Sequence, residues 1–236
     1  MRPHTVTSRL VRVLPASWIL AAALVALVAP ALAGTITGIV TARGPATPTE
    51  AGGSGSYASR RYKFVEKIDY GSLRDFVVNI DQLVSAPADP APLKVVQRDA
   101  AFEPHILPIV VGTTVRWPNE DDIFHNVFSM TETQDFNLGF YKKEKVPEIR
   151  FDKLGRVDVF CAIHTNMHCI ILVLPNPYFA IVDARRHYVI RDVPAGTYRF
   201  RAWHERLPSQ VKEVTVPAEG EVKVDFVLGV AELPKS

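Results

Sequence analysis

The stretch VDVFCAIHTNMHCIILVL, residues 157–174, joins two strand patterns by a short loop. Val157 and Cys161 lie four positions apart in the first pattern, so they face the same side of a strand. The second pattern is a continuous apolar run of the kind that forms a buried strand. Because Cys161, His164 and Met167 are spaced three residues apart, a thiol, an imidazole and a thioether occupy one loop where a strand ends.

A second imidazole comes from His125, which opens another strand pattern after the polar turn at 119–122. From the neighbouring hairpin it can approach the same end of a sandwich. One thiolate, two imidazoles and a weak thioether are the donor set of a blue-copper site. We therefore predict that His125, Cys161, His164 and Met167 bind a metal. The alternative is that they are core residues whose polar atoms form hydrogen bonds within the protein.

The other periodic segments alternate with a period of two or form short β-branched runs, which predicts an all-β chain. The predicted strands are Thr35–Thr41, Asp75–Ile80, Lys94–Gln97, Ile106–Val111, Thr113–Trp117, His125–Met130, Arg150–Phe151, Val157–Phe160, Cys169–Leu174, Phe179–Val182, Tyr188–Ile190, Thr197–Trp203, Val211–Val216 and Glu221–Leu228. The pattern restarts after a Pro-Asn-Pro sequence, which predicts a domain boundary near Asn176. We predict a domain at 34–175, with a flexible Gly/Ser/Ala-rich insertion at about 44–60, and a smaller sandwich at 176–236.

The first 33 residues have the pattern of a cleaved signal peptide. They contain three arginines and no acidic residue, an apolar run at 18–28, and the sequence Ala31-Leu32-Ala33 before the predicted cleavage point. A membrane anchor is the alternative, but the apolar run is shorter than the ~20 residues that span a bilayer. We therefore predict an exported protein, periplasmic or secreted, with no membrane association after cleavage.

Composition excludes some function classes. Of 27 basic residues in the chain, three lie in the signal segment, which leaves 24 against 25 acidic residues and gives no electrostatic argument for nucleic acid as a partner. Two cysteines are too few for a disulfide scaffold. We interpret Cys169 as a small buried apolar residue, although a single bridge to Cys161 is an alternative.

The site motifs resemble those of the cupredoxin family, of plastocyanin and azurin type, and are most similar to exported bacterial proteins labelled methylamine utilization proteins. The resemblance is carried by Phe102-Glu103-Pro104-His105, Val111-Gly112-Thr113-Thr114-Val115, Pro118-Asn119, His125-Asn126-Val127-Phe128-Ser129 and Cys161-Ala162-Ile163-His164-Thr165-Asn166-Met167. It covers roughly 75–174, with the strand at Thr35 as a further candidate. It implies a Greek-key cupredoxin sandwich with one type 1 copper ion held by His125, Cys161, His164 and Met167.

The C-terminal region is similar to carboxypeptidase-regulatory or transthyretin-like sandwiches, through 192–198 and 203–205. Modules of that kind usually serve structure or interaction.

Two further histidines leave alternatives open. His168 follows Met167 directly and is an alternative to it as ligand, in a set that suits zinc or a red copper centre better. For His105 we predict a structural or outer hydrogen-bonding role rather than direct ligation. The acidic run at 120–122 is interpreted as a solvated loop, with a docking rim as the alternative.

Three classes of function compete: an electron carrier, a non-redox copper or zinc storage module, and an enzyme. None of the seven histidines forms a His-x-His pair of the multicopper oxidase kind, and no catalytic triad, phosphate loop or paired-carboxylate motif is found. We predict an electron carrier that is not an enzyme and that exchanges electrons with a c-type cytochrome or a dehydrogenase. A structural or interaction protein is a further alternative.

Overall fold

The structure is a computed structural model that describes residues 33–44, 68–84 and 90–229. The predicted signal segment, apart from its last residue, and most of the predicted insertion lie outside these ranges. Within them the chain forms eighteen strands and no helix, which confirms the all-β prediction. Accordingly, the part of the chain described contains no helix long and apolar enough to cross a membrane.

The strands form two sandwiches, each around its own hydrophobic core. The central sandwich contains β3 (Leu93–Lys94), β4 (Val96–Arg98), β5 (Ala101–Glu103), β6 (Ile106–Val110), β7 (Thr114–Arg116), β8 (His125–Thr131), β9 (Gln134–Tyr141), β10 (Glu148–Arg150), β11 (Gly155–Phe160) and β12 (His168–Leu174). The composite sandwich contains β1 (Ala33–Arg43), β2 (Val77–Ile80), β13 (Phe179–Ile181), β14 (His187–Pro194), β15 (Gly196–His204), β16 (Leu207–Val216), β17 (Glu221–Lys223) and β18 (Phe226–Gly229).

Strand β1 lies in the interior of one sheet of the composite sandwich. Its residues alternate between buried and half-buried, with Ile36 and Val40 fully buried. It pairs antiparallel with β14 on one side and parallel with β17 and β18 on the other. Gly38 permits a close approach here, because a Cβ at this position would overlap the carbonyl oxygen of Val224.

The strand pairing corrects the predicted domain division. Both β1 and β2 were assigned to the first domain, 34–175, but β2 pairs with β13 and β15, and β1 pairs with β14, β17 and β18. Two N-terminal strands thus complete the C-terminal sandwich. Alternating hydrophobicity defines which face of a strand is buried, but it does not identify the strand's partner.

The central sandwich packs a five-stranded sheet, in the order β6-β12-β11-β8-β9, against the three-stranded sheet β10-β7-β3, with β4 and β5 as a separate hairpin. Its core includes the fully buried Trp117, Val157 and Val159 together with Cys161 and Met167. Val157 and Val159 of β11 and Cys161, which directly follows it, all face the central core, as the alternation predicts.

Strand β12 is buried on both faces, which explains its continuous apolar sequence. Cys169, Ile171 and Val173 belong to the central core. The intervening residues, including Ile170, pack with Val77 of β2 in a smaller cluster where the two sandwiches meet. The start of β12, next to the predicted ligand loop, is thereby held from both sides.

Candidate metal centre

His125 is the first residue of β8 and is fully buried. The turn before it is fixed by Asn119, whose side-chain amide donates to the carbonyls of Ile123 (3.0 Å) and Tyr141 (3.1 Å). The side-chain oxygen of Asn119 in turn accepts from the N–H of Asp121 at 2.9 Å. This buried amide holds the turn against β9 and so fixes where His125 enters the sheet.

Asp121 orients the His125 ring. Its Oδ2 lies 2.8 Å from Nε2 of His125. The same carboxylate accepts the backbone N–H groups of Asp99 (2.8 Å) and Ala100 (3.0 Å), the two positive-φ residues of the turn between β4 and β5. Burial alone raises the pKa of Asp121, but the hydrogen bonds from Ala100, His125 and Asp99 outweigh it, so the pKa lies below its ordinary value.

This hydrogen bond determines which nitrogen of His125 is available for a metal. An ionised carboxylate only accepts, so Nε2 carries the proton, and the neutral ring has its lone pair on Nδ1. That atom lies 3.0 Å from Nδ1 of His164. Two ring nitrogens thus converge on one point.

Cys161 completes the cluster from the end of β11. Its Sγ lies 3.7 Å from Nδ1 of His164. Donor atoms of His125, Cys161 and His164 all lie within 4.8 Å of one another, and we call these three residues the cysteine cluster. A thiol and two imidazoles at this separation form a set that a borderline or soft metal ion fits.

The ligand loop is closed by two backbone hydrogen bonds. The N–H of Cys161 donates to the carbonyl of Met167 (3.2 Å), and the N–H of Met167 donates to the carbonyl of His164 (3.0 Å). Met167 is 1% exposed and belongs to the same core as Cys161. Three of the four predicted ligands therefore form one cluster and the fourth lies buried in the same loop; its axial role stays a prediction.

A buried network of polar side chains, which the sequence does not indicate, lies near Cys161. Gln97 donates to the hydroxyl of Tyr141 (2.7 Å), which donates to the carbonyl of Trp117 (2.8 Å). Burial raises the pKa of Tyr141, and a negative charge on Cys161 raises it further. The hydroxyl therefore stays protonated and donates to the carbonyl of Trp117.

His105 and His168, whose roles the sequence leaves undecided, both lie outside the cysteine cluster. The ring of His168 contacts Asp158, at 2.9 Å, and His105 contacts Glu205, at 3.2 Å. His168 therefore points into a different group of side chains from Met167. Both cysteines are free, and burial raises the pKa of Cys169, which lies in the central core as interpreted from the sequence.

Asp121 is the functional residue that sequence reasoning missed. The acidic run was interpreted as a solvated loop, and Asp122 fits that interpretation because its exposed carboxylate pairs with Lys143. Asp121 instead points inward. Its position four residues before His125 was the available signal, since ligating histidines commonly donate to a carboxylate.

Two exposed apolar residues adjoin the cluster histidines in sequence. Phe124 and Ile163, which directly precede His125 and His164, are about half exposed, and the Lys142 ammonium lies 4.8 Å from the centroid of the Phe124 ring. His164 itself is half-buried, so one candidate ligand is partly accessible to solvent.

Comparison with known proteins gives partial likenesses. No protein-family model matches the chain, and neither does any curated protein. Among solved structures, the copper-containing nitrite reductase of Thermus scotoductus SA-01 is 30% identical over 39% of this chain, with a TM-score of 0.34, and this chain spans only 25% of that protein.

Two smaller proteins match over nearly their whole length. A purple cupredoxin from Nitrosopumilus maritimus is 25% identical over 34% of this chain and 97% of its own, with a TM-score of 0.32. A mutant of amicyanin in its Cu(I) form is 25% identical over 41% of this chain and 97% of its own, with a TM-score of 0.33. Because these likenesses cover about two-fifths of the chain at most, the assignment of the site rests on its own residues.

Proposed function

We propose that this protein is an exported electron carrier with a single type 1 copper site whose ligands are His125, Cys161, His164 and Met167. The observation that carries the proposal is the convergence of one thiol and two imidazole nitrogens within 4.8 Å at the end of the central sandwich. A copper ion in such a site supplies one-electron oxidation and reduction. The protein's residues supply the fixed geometry.

Rigidity of the donors supports a redox role over storage. Asp121 fixes the His125 ring, the two loop hydrogen bonds fix Cys161 relative to Met167, and β12 is packed on both faces. Donors that move little between two oxidation states keep the reorganisation small, which favours fast electron transfer.

Exposed apolar residues beside the cluster histidines support a docking role. Phe124 and Ile163 directly precede His125 and His164 in sequence and are about half exposed, so we propose that a partner covers them and approaches the half-buried His164. As the partner we propose a c-type cytochrome or a dehydrogenase in the periplasm or outside the cell. The composite sandwich is proposed as a structural or interaction module of transthyretin-like type, and the protein is proposed not to be an enzyme by itself.

Metal analysis and an absorption spectrum of the purified protein without residues 1–33 test the proposal. We expect one copper per chain, an intense visible thiolate-to-copper band, and rapid reversible reduction by a c-type cytochrome. A colourless protein that is isolated with zinc and does not take up copper would instead support the storage module.

A further inference from the structure

A second group of metal-binding side chains lies apart from the cysteine cluster. Donor atoms of His105, His168 and Glu205 all lie within 4.8 Å of one another, and we call these residues the glutamate cluster. His105 precedes β6 and His168 begins β12 in the central sandwich, whereas Glu205 lies in the turn between β15 and β16 of the composite sandwich. The cluster therefore spans the two sandwiches.

The contacts of His105 leave a place for a proton or a metal ion between its ring and Glu205. Its Nδ1 lies 3.1 Å from the carbonyl oxygen of His168, which only accepts, so Nδ1 carries a proton. The neutral ring then has its lone pair on Nε2, which lies 3.2 Å from Oε1 of Glu205. A lone pair and a carboxylate repel each other at this distance unless a proton or a metal ion lies between them.

His168 is oriented as metal-bound histidines are. Its Nε2 lies 2.9 Å from Oδ1 of Asp158, and Arg156 holds that carboxylate through two contacts of 2.7 and 2.8 Å. A carboxylate behind a histidine fixes the ring and increases its basicity as a ligand.

A ring stack and a hydrogen bond hold the cluster in place. Phe160 stacks on the His168 ring, with centroids 4.8 Å apart and planes 20° apart. The carbonyl of Glu205 accepts from Arg156 at 3.3 Å, which ties the β15–β16 turn to the central sandwich. The donors are thus positioned before any ion binds.

The two clusters differ in accessibility and donor type. The side chains of His105, His168 and Glu205 are 38%, 25% and 24% exposed, and the cluster has two nitrogens and one carboxylate but no thiol. Two imidazoles and a carboxylate with an open position form a set that binds Zn²⁺ and similar borderline divalent ions.

We propose that His105, His168 and Glu205 bind a second metal ion, a divalent ion of the zinc class, which links the central and composite sandwiches. Asp158 acts as a positioning residue through the ring of His168. The proposal does not depend on the cysteine cluster, because none of its donors is shared.

Titration of Zn²⁺ by calorimetry into the Cys161→Ala variant tests the second site without the thiol. We expect one equivalent to bind, and the added change Glu205→Gln or His105→Gln to weaken this binding at least tenfold. Glu213→Gln and His187→Gln, at exposed positions of the composite sandwich, are matched controls that should leave it unchanged. Unchanged binding in Glu205→Gln and His105→Gln, or no binding at all, would overturn the proposal.

Thermal unfolding gives a second measure. An ion held by residues of both sandwiches stabilises the folded state, so Zn²⁺ should raise the unfolding midpoint of Cys161→Ala. The rise should be lost in the Glu205→Gln double variant, whose midpoint without Zn²⁺ checks that it still folds. An equal rise in both proteins would contradict the bridging role.

Discussion

The central and composite sandwiches are built from the chain in different ways. The central sandwich uses one continuous segment, from β3 to β12, and every member of the cysteine cluster comes from it. The composite sandwich combines β1 and β2 with strands that follow β12, so the whole central sandwich is inserted between its two parts. The glutamate cluster depends on both. A site within a continuous segment leaves a motif in the sequence, whereas a site between segments does not.

The largest expected effect is the loss of the thiolate band in Cys161→Ser. A hydroxyl is a poor ligand for copper compared with a thiolate, so the visible band should disappear at saturating copper, while the small change in volume leaves the central core packed. An absorption titration measures this. The control is Cys169→Ala, which removes the other thiol and should keep the band; a band that survives in Cys161→Ser means that Cys161 is not a ligand.

The contrast between the sandwiches explains how much of the fold the sequence predicted. Most strands of both were predicted within a few residues, because their alternation is local. The pairing of β1 and β2 was not, because a strand's partner depends on contacts between distant residues. Strand β9 was missed although Phe136 and Leu138 alternate with Asp135 and Asn137, and Gly139, at positive φ, interrupts this short alternation.

The sites follow the same division. Cys161, His164 and Met167 were found because one loop contains them, and His125 because it opens a strand. Asp121 and Glu205 were not found. The one sequence signal for Asp121 is its position four residues before His125, and nothing in the sequence of its turn distinguishes Glu205 from a solvated residue. Only the folded chain brings each of them against a histidine.

Gly38→Ala tests whether β1 belongs to the composite sandwich. The added methyl would overlap the carbonyl of Val224 and lie 2.8 Å from the Tyr188 ring, so β1 must shift, which we expect to lower the free energy of unfolding by about 3 kcal/mol. Denaturant unfolding measures the loss. Gly71→Ala, which meets only the flexible side chain of Asp69, is the control and should change stability by less than about 1 kcal/mol.

Gly38→Ala also tests the separation of the two sandwiches. Trp117 is buried in the central core, and once Trp203 of β15 is replaced by Phe, tryptophan fluorescence reports on that core. If only the composite sandwich is destabilised, it should unfold at a lower denaturant concentration than the one at which the fluorescence of Trp117 changes. Coincident transitions would mean that the hydrophobic cluster of Val77 and Ile170, where the two sandwiches meet, couples them into one cooperative unit. Stability equal to that of the original protein would contradict the close approach of β1.

Asp121→Asn sharpens the comparison within the central sandwich. Without the carboxylate, the His125 ring is less firmly oriented and less basic, so copper affinity should fall about 10- to 100-fold. Competition with a chelator measures the affinity. Asp122→Asn is the matched control and should leave copper affinity unchanged. Asp122 is 91% exposed, and in the described part of the chain its ion pair is with Lys143. Equal affinities in the two variants would mean that Asp121 serves the β4–β5 turn alone.

The smallest change is expected from Met167→Leu, which tests the one predicted ligand outside the cysteine cluster. The two side chains have similar volumes, so the variant should fold, bind copper and keep its band, at a stability cost below about 1.5 kcal/mol. Because a thioether donates electron density that stabilises the oxidised metal, its removal should raise the reduction potential, which voltammetry measures. Met130→Leu, at a strand position 76% exposed, is the control. An unchanged potential in Met167→Leu would mean that Met167 contributes packing only, and that the three donors of the cysteine cluster set the properties of the site without it.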